Sequence, residues 1–165
     1  MSEHCATIRW QRVDDGFLQG KYSREHFWEF DGGLTVPASP SPSVVPAPWS
    51  NPANVDPEEA FVASLASCHM LTFLWLASRA GFQADTYQDK AFGVMTKNEE
   101  GKPWISAVSL RPCIDWSGAR LPSDAEVEAL HHAAHEQCFI ANSVKTRIVV
   151  QPPGSAAGSP NSSIY

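Results

Sequence analysis

The longest apolar pattern in the chain covers residues 57–80 and predicts a helix. Asp56 suits the N-cap, Pro57 suits the first turn, and Gly81 suits the left-handed residue that ends a helix. The residues between them are apolar or small on nearly every helical face. We therefore expect a central helix of the core. Interspersed polar residues favour a core helix over a membrane span.

A second helix is predicted nearer the C-terminus. Ser123 is a favourable N-cap, and Glu126 stands three residues later, at the capping-box position. The helix is expected to run to about Gln137, with Cys138 near its end. A final strand is predicted at 145–150.

Alternation of large and polar residues predicts strands before and after the first helix. Before it the predicted strands are 5–13, 17–21 and 22–30, and after it they are 85–97 and 104–116. Seven prolines in the segment 37–57 exclude helix and central strand there and predict an ordered surface loop. This order of elements predicts an α+β fold in a single domain, residues 1–151, followed by a disordered tail, 152–165.

Composition limits the classes of function. The 165 residues are 43% hydrophobic and carry a net charge of −6. A negative surface does not attract nucleic acid or an anionic membrane, so neither is expected as a partner. The N-terminus has no basic region followed by an apolar stretch, so no signal peptide is expected. We expect a cytoplasmic protein whose four cysteines are not a disulfide framework.

Cys68, in the middle of the first helix, is the candidate nucleophile. A cysteine reacts as its thiolate, which a nearby cation favours. Arg24 is the candidate cation, and Glu58, in the first turn of the same helix, is the candidate carboxylate that would hold it. The alternatives remain open: Cys68 can be a small core residue, and Arg24 an exposed strand charge.

Cys138 is the candidate second thiol. A helix C-terminus disfavours a thiolate, so Cys138 is a poor primary nucleophile but can condense with a sulfenic acid. An unreactive buried cysteine is the alternative. Cys5 and Cys113 are given no catalytic role.

A metal site is the rival interpretation of the second helix. His131, His135 and Cys138 are spaced i, i+4 and i+7 on one helical face, which can hold zinc. The pattern lacks a Cys-x-x-Cys or His-Glu-x-x-His signature. The placement of histidines at the negative end of a helix, where a positive charge is favourable, explains this pattern better than a zinc site does. No metal ligand is therefore predicted.

Three segments, 22–33, 56–71 and 130–144, resemble the OsmC/Ohr family, in its OsmC-like branch. The resemblance covers roughly residues 9–150. It implies that Cys68 is the peroxidatic cysteine, Cys138 the resolving cysteine and Glu58 the carboxylate that orients the active-site arginine, for which Arg24 is the candidate.

The resemblance also implies the fold and the activity. The fold would have antiparallel sheets wrapped around two long central helices in an intertwined homodimer. The activity would be reduction of organic hydroperoxides, with no cofactor, and with a dithiol reductant such as a lipoyl-type compound. An apolar lining would favour fatty or aryl hydroperoxides, and its candidates are Phe61, Leu65, Phe73, Trp28 and Phe139. The alternative is a non-catalytic OsmC-like protein of small-ligand-binding or stress function.

Overall fold

The structure, a computed structural model, describes residues 1–151 together with the backbone of Ser163–Ile164. The remainder of the expected tail lies outside the described residues. The chain divides into two compact units, Met1–Ala60 and Phe61–Tyr165. The assignment of residues 1–151 to one domain stays a prediction.

The first unit contains a three-stranded antiparallel sheet. Its strands are β1 (Ala6–Arg9), β2 (His26–Phe30) and β3 (Thr35–Ala38), in the order β1-β2-β3. The turn predicted after residue 30 is present, and Gly33 takes a φ of +84° there, which a side chain would disfavour.

The predicted return strand at 17–21 is wrong. Phe17–Gln19 forms a 3-10 turn that ends at Gly20 in the left-handed conformation. Packing explains the difference, because the ring of Phe17 lies 4.7 Å from that of Tyr22 and 5.8 Å from that of Trp10. This local aromatic cluster replaces strand pairing.

The proline-rich segment is an ordered loop over residues 39–56, whereas Pro37 and Ala38 belong to β3 and Pro57 begins the first helix. The Ser39 backbone N–H donates to the Val55 carbonyl at 3.0 Å, and the Asn51 backbone N–H donates to Ser39 Oγ at 2.8 Å. Ser39 is fully buried. The hydrogen bonds tie the two ends of the loop together.

The first helix, α1 (Pro57–Arg79), begins and ends where the sequence predicts. Asp56 Oδ1 accepts a hydrogen bond from the Glu59 backbone N–H at 2.7 Å, and Glu59 Oε2 accepts one from the Asp56 backbone N–H at 3.2 Å. Gly81 follows with a φ of +81°. The helix therefore has a reciprocal N-terminal cap and a left-handed stop.

One stripe of α1 is buried. Its members are spaced four residues apart and therefore share a face: Leu65, His69, Phe73 and Ala77. Leu71 and Trp75 are 62% and 52% exposed. By length and composition alone α1 could cross a membrane, a criterion that core helices also meet.

The second unit contains two sheets. β4 (Gln83–Asp89) pairs antiparallel with β7 (Pro112–Ser117). The other sheet has the order β5-β6-β8-β9. Its strands are β5 (Phe92–Lys97), β6 (Pro103–Leu110), β8 (Arg147–Val150) and β9 (Ser163–Ile164). Its pairs are antiparallel except β6 with β8, which is parallel.

The strands predicted at 85–97 and 104–116 are each divided into two. The division occurs at a corner where the Arg111 backbone N–H donates to Asp89 Oδ1 at 2.7 Å. Pro112, which follows, has no N–H for a continuous ladder. Each half then joins a different sheet.

The second helix, α2 (Asp124–Gln137), has the predicted capping box between Ser123 and Glu126. Leu65 of α1 belongs to a core cluster with Val108 and Leu110 of β6 and Ile148 and Val150 of β8. Farther along α1, Phe73 and Ala77 form a second cluster with Phe82 and with Ala134 of α2. Both helices therefore belong to the core of this unit.

Candidate active site

The two candidate thiols are in contact. The Cys138 thiol donates to Cys68 Sγ at a distance of 2.7 Å, although the residues are 70 positions apart in sequence. Cys68 is partly buried in the middle of α1, whereas Cys138 is only 1% exposed and ends α2 as its C-cap. A disulfide bond is about 2.05 Å long, so closure requires only a small further approach of the sulfur atoms.

The surroundings of Cys138 favour its protonated form. Burial raises the pKa of the Cys138 thiol to about 11, and its hydrogen bond to Cys68 adds to the effect. The backbone N–H groups of Ala141 and Ile140 act in the opposite direction, and the Ala141 N–H donates to Sγ at 3.4 Å. Cys138 is therefore a thiol at neutral pH and a hydrogen-bond donor to its partner.

Local hydrogen bonds hold the backbone at both cysteines. Asn142 Nδ2 donates to the carbonyls of Glu136, at 2.8 Å, and Cys138, at 3.0 Å. Thr72 Oγ1 donates to the Cys68 carbonyl at 3.0 Å. The Asn142 side chain thus satisfies carbonyls that the end of α2 leaves without helical partners.

The structure does not join Arg24 to Glu58. The Arg24 guanidinium donates to the carbonyls of Tyr22, at 3.0 Å, and Gly20, at 3.4 Å, and lies 4.1 Å from the centroid of the Tyr22 ring. Glu58 Oε2 is buried without a hydrogen-bond partner among the described residues. The roles assigned to these two residues stay predictions.

A histidine pair lies in the same unit as the thiols. His69 Nε2 and His131 Nδ1 are 3.0 Å apart, and both side chains are buried. Burial lowers the pKa of His69 to about 4 and that of His131 to about 3. The sequence interpretation assigned no role to this contact. The sequence does contain a sign of it, because His69 is a polar residue four positions after Leu65 and four before Phe73 on the apolar face of α1.

The described residues include no group of three or more histidine, cysteine or acidic side chains arranged to hold a metal. His131 instead turns toward His69. The zinc interpretation of His131, His135 and Cys138 therefore has no structural support.

The expected lining residues of the second unit do not share one core cluster. Leu65 and Phe73 are buried in two different core clusters, and Phe61 packs against the first of them. Phe139 is 83% exposed. Cys5 and Cys113 are both exposed free cysteines.

Comparison with known proteins identifies relatives of this chain. A family model described as OsmC-like protein matches residues 50–152. An OsmC-like protein of unknown function from Vibrio cholerae is 51% identical in sequence. Its structure superposes with a TM-score of 0.89, covering 92% of this chain and 99% of that one. Among proteins of curated function, none matches the chain.

More distant structures share the fold. An organic hydroperoxide resistance protein from Elizabethkingia anophelis is 18% identical, with a TM-score of 0.67 over 93% of this chain and 95% of that one. The organic hydroperoxide resistance protein OhrB of Bacillus subtilis is 19% identical, with a TM-score of 0.61 over 92% and 97% of the two chains. At these identities the likeness concerns the fold.

Proposed function

The chain belongs to the OsmC-like protein family, and on this premise we propose that it is a thiol-dependent peroxidase that reduces organic hydroperoxides. One observation carries the proposal. The sulfur atoms of Cys68 and Cys138 are 2.7 Å apart. Organic hydroperoxide resistance proteins share the fold in which this contact occurs.

The first step is nucleophilic attack by Cys68. Its thiolate sulfur forms a bond to the distal oxygen of the hydroperoxide, and the O–O bond breaks. The alkoxide leaves and takes up a proton to become the alcohol, and Cys68 becomes a sulfenic acid. Cys68 suits this role better than Cys138 because it is partly exposed and accepts the hydrogen bond that Cys138 donates.

The second step is condensation of the two cysteines. The Cys138 sulfur attacks the Cys68 sulfenic sulfur, the S–O bond breaks, and the thiol proton leaves with the hydroxyl group as water. The contact between the thiols gives this reaction a high effective concentration. The sulfenic acid is then resolved before a second peroxide oxidises it further.

A dithiol closes the cycle. One thiolate of the reductant attacks the disulfide, and the second displaces it as the cyclic disulfide, so that both protein thiols are restored. A lipoyl-type dithiol fits this chemistry. We place the cycle in the cytoplasm, a reducing compartment that keeps the resting cysteines reduced.

We propose that the protein acts as a homodimer. Leu71 and Trp75 are exposed on α1, and a second copy of the chain is the occupant that we propose for this apolar face. Ten residues along an α-helix correspond to about 15 Å, so Glu58 and Cys68 of one chain are well separated along α1. We therefore propose that the carboxylate acting at Cys68 is Glu58 of the partner subunit.

Arg24 completes the proposed site. The buried Glu58 Oε2, which has no donor among the described residues, is suited to receive a guanidinium. In this role the Arg24 side chain would exchange its present carbonyl partners for Glu58 and stabilise the negative charge that develops on the peroxide oxygen.

The experiment is a titration of free thiols with intact-mass measurement, before and after one equivalent of cumene hydroperoxide. Cys5 and Cys113 are both replaced by serine because they are exposed. We expect loss of both remaining thiols in this parent protein and an added oxygen on Cys68 in its Cys138→Ser variant. Unchanged thiols at excess peroxide would contradict the proposal and favour a small-ligand-binding or stress function without turnover.

A further inference from the structure

We propose that His69 and His131 are positioning residues, a hydrogen-bonded pair that holds α1 and α2 in the register that brings Cys68 and Cys138 together. This inference rests on the proposed function and adds to it two residues that contact neither peroxide nor sulfur in the proposed cycle.

The pair is next to Cys68 on α1 and about two helical turns before Cys138 on α2. His69 directly follows Cys68 on α1, and His131 lies seven residues before Cys138, on the same face of α2. Hydrogen bonds join His69 to His131 and Cys68 to Cys138 across the two helices. A change in register at the first contact would therefore be transmitted to the second.

The histidine contact is directional. The nitrogens are 3.0 Å apart, the rings are nearly parallel at 13°, and Phe73 stacks on the His131 ring at a centroid distance of 4.3 Å. A hydrogen bond fixes distance and angle, whereas apolar side chains can slide with little loss of contact. Beside the pair, Phe73 and Ala77 of α1 pack with Ala134 of α2, and His135, also on α2, acts electrostatically on His69.

The chemical state of the pair agrees with this role. His69 and His131 are 2% and 7% exposed, and burial lowers the pKa of each well below neutrality. Both rings are therefore neutral at physiological pH, so that one nitrogen donates and the other accepts. Leucine at either position would avoid burying polar atoms, but it would not fix the register.

Disulfide formation is sensitive to such register. The bond requires Cβ atoms about 3.5–4.5 Å apart and a narrow range of torsion angles. Loosening the two helices lowers the effective concentration of one thiol at the other without altering the chemistry of either sulfur. The equilibrium constant for closing the Cys68–Cys138 disulfide is consequently the quantity that this pair controls.

The test measures that equilibrium constant against reduced and oxidised dithiothreitol, in the parent protein with serine at positions 5 and 113. We compare His131→Leu, which removes the polar contact, with His131→Asn, which keeps a polar atom near the Nδ1 position. His132→Leu is the matched control, because His132 is an exposed histidine one position farther along α2. Circular dichroism and thermal unfolding verify that each variant is folded.

We expect His131→Leu to lower the equilibrium constant about tenfold, which makes the reduction potential about 30 mV less negative for a two-electron couple. His131→Asn should stay within about threefold of the parent protein, and His132→Leu should not differ from it. An unchanged constant in folded His131→Leu would overturn the proposal, as would an equal loss in His131→Asn. If neither His131→Leu nor His69→Leu folds, the pair is required for folding and the positioning role is likewise rejected.

These outcomes are separate from those of the proposed function. The measurement uses no peroxide, so it reports the disulfide whether or not the protein reduces hydroperoxides. A parent protein that forms no Cys68–Cys138 disulfide would contradict the two-cysteine cycle itself. If the parent protein forms the disulfide and the histidine variants form it with the same equilibrium constant, only the role of the histidines is contradicted.

Discussion

The backbone N–H of Ala141 donates to the sulfur of Cys138 at 3.4 Å, so the thiol that ends α2 is also held by the 3-10 turn that follows it. A thiolate at this position would receive that hydrogen bond. Cys138 is nearly inaccessible to solvent, however, whereas Cys68 is partly exposed. In the proposed cycle we therefore expect an external thiol to attack Cys68 and to release Cys138.

This asymmetry predicts selective modification of Cys68. In folded protein with serine at positions 5 and 113, iodoacetamide should alkylate Cys68 at least about tenfold faster than Cys138, because access and thiolate character govern the rate. Peptide mass spectrometry on a time course measures both rates. The same protein in urea is the control, where the two rates should converge. Equal rates in the folded protein would contradict the assignment of Cys68 as the attacked sulfur.

A second prediction concerns the carboxylate assigned to the site. Glu58→Gln keeps the shape of the side chain but removes the charge that would hold a guanidinium, so the rate of peroxide reduction should fall about 10–100-fold. Stopped-flow consumption of cumene hydroperoxide measures it. Glu59→Gln changes a carboxylate in the same turn that serves the helix cap, and it is the matched control.

The companion change is Arg24→Lys. Lysine keeps the charge but loses the planar, two-pronged donor set, so a similar loss of rate is expected if the guanidinium binds a carboxylate. The disulfide equilibrium of Cys68 and Cys138 should be unaffected in both variants. If Glu58→Gln reduces peroxide as fast as Glu59→Gln does, Glu58 does not act in the site.

Much of this fold could be predicted because its signals are local. The caps of α1 and α2 depend on residues within one turn, and the capping box of Ser123 and Glu126 is visible in the spacing alone. The 3-10 turn at Phe17–Gln19 was missed because the alternating pattern does not reveal the packing of Phe17 on Tyr22 and Trp10. The divided strands depend on contacts with distant residues. The bond from Arg111 to Asp89 is one such contact, and no local pattern specifies it.

The candidate site could likewise be predicted only where its features depend on local sequence. Cys68 and Cys138 could be named as candidates from the sequence, with roles implied by the family resemblance, but their contact depends on how α1 packs against α2. The negative end of α2 predicted an unfavourable place for a thiolate at Cys138. The Ala141 N–H, which partly offsets that effect, belongs to a turn that the sequence did not predict. The His69–His131 pair was missed because residues 62 positions apart had to be brought together by the same packing.

The buried histidines predict a specific acid sensitivity. Unfolded histidine has a pKa near 6.5, whereas the folded values are about 4 for His69 and about 3 for His131. Below pH 6.5 the unfolded state therefore binds protons that the folded state does not. The free energy of unfolding should fall as pH drops from 6.5 toward 4, by about 2 kcal/mol for each histidine at pH 5. Above about pH 7.5, where the histidines are neutral in both states, the pair should add almost no pH dependence.

Urea unfolding at pH 8.5, 7.5, 6 and 5 measures this effect. The double variant His69→Gln with His131→Asn keeps polar groups at both positions but removes the titration. Its free energy of unfolding should depend less steeply on pH than that of the wild type, and the two curves should be parallel above about pH 7.5. Parallel curves down to pH 5 would show that these histidines do not account for the loss of stability.

Gly93, on β5, lies where the sheet packs so closely against α1 that a larger side chain does not fit. A Cβ atom at this position would lie 2.8 Å from Val62 Cγ2 and 3.3 Å from Ile105 Cγ2. The first distance is shorter than real Cβ contacts allow, so Gly93→Ala should force the helix and strand apart. We expect a loss of about 1–3 kcal/mol in the free energy of unfolding.

The matched control for this change is Gly32→Ala, because a Cβ there meets no atom within 4 Å and the residue has no positive φ. Chemical denaturation should find little change in that variant. Val62→Ala combined with Gly93→Ala should recover part of the stability, since it removes the methyl group that the new Cβ meets. A Gly93→Ala protein as stable as Gly32→Ala would mean that α1 and β5 can separate freely, which contradicts a closely packed interface at this point.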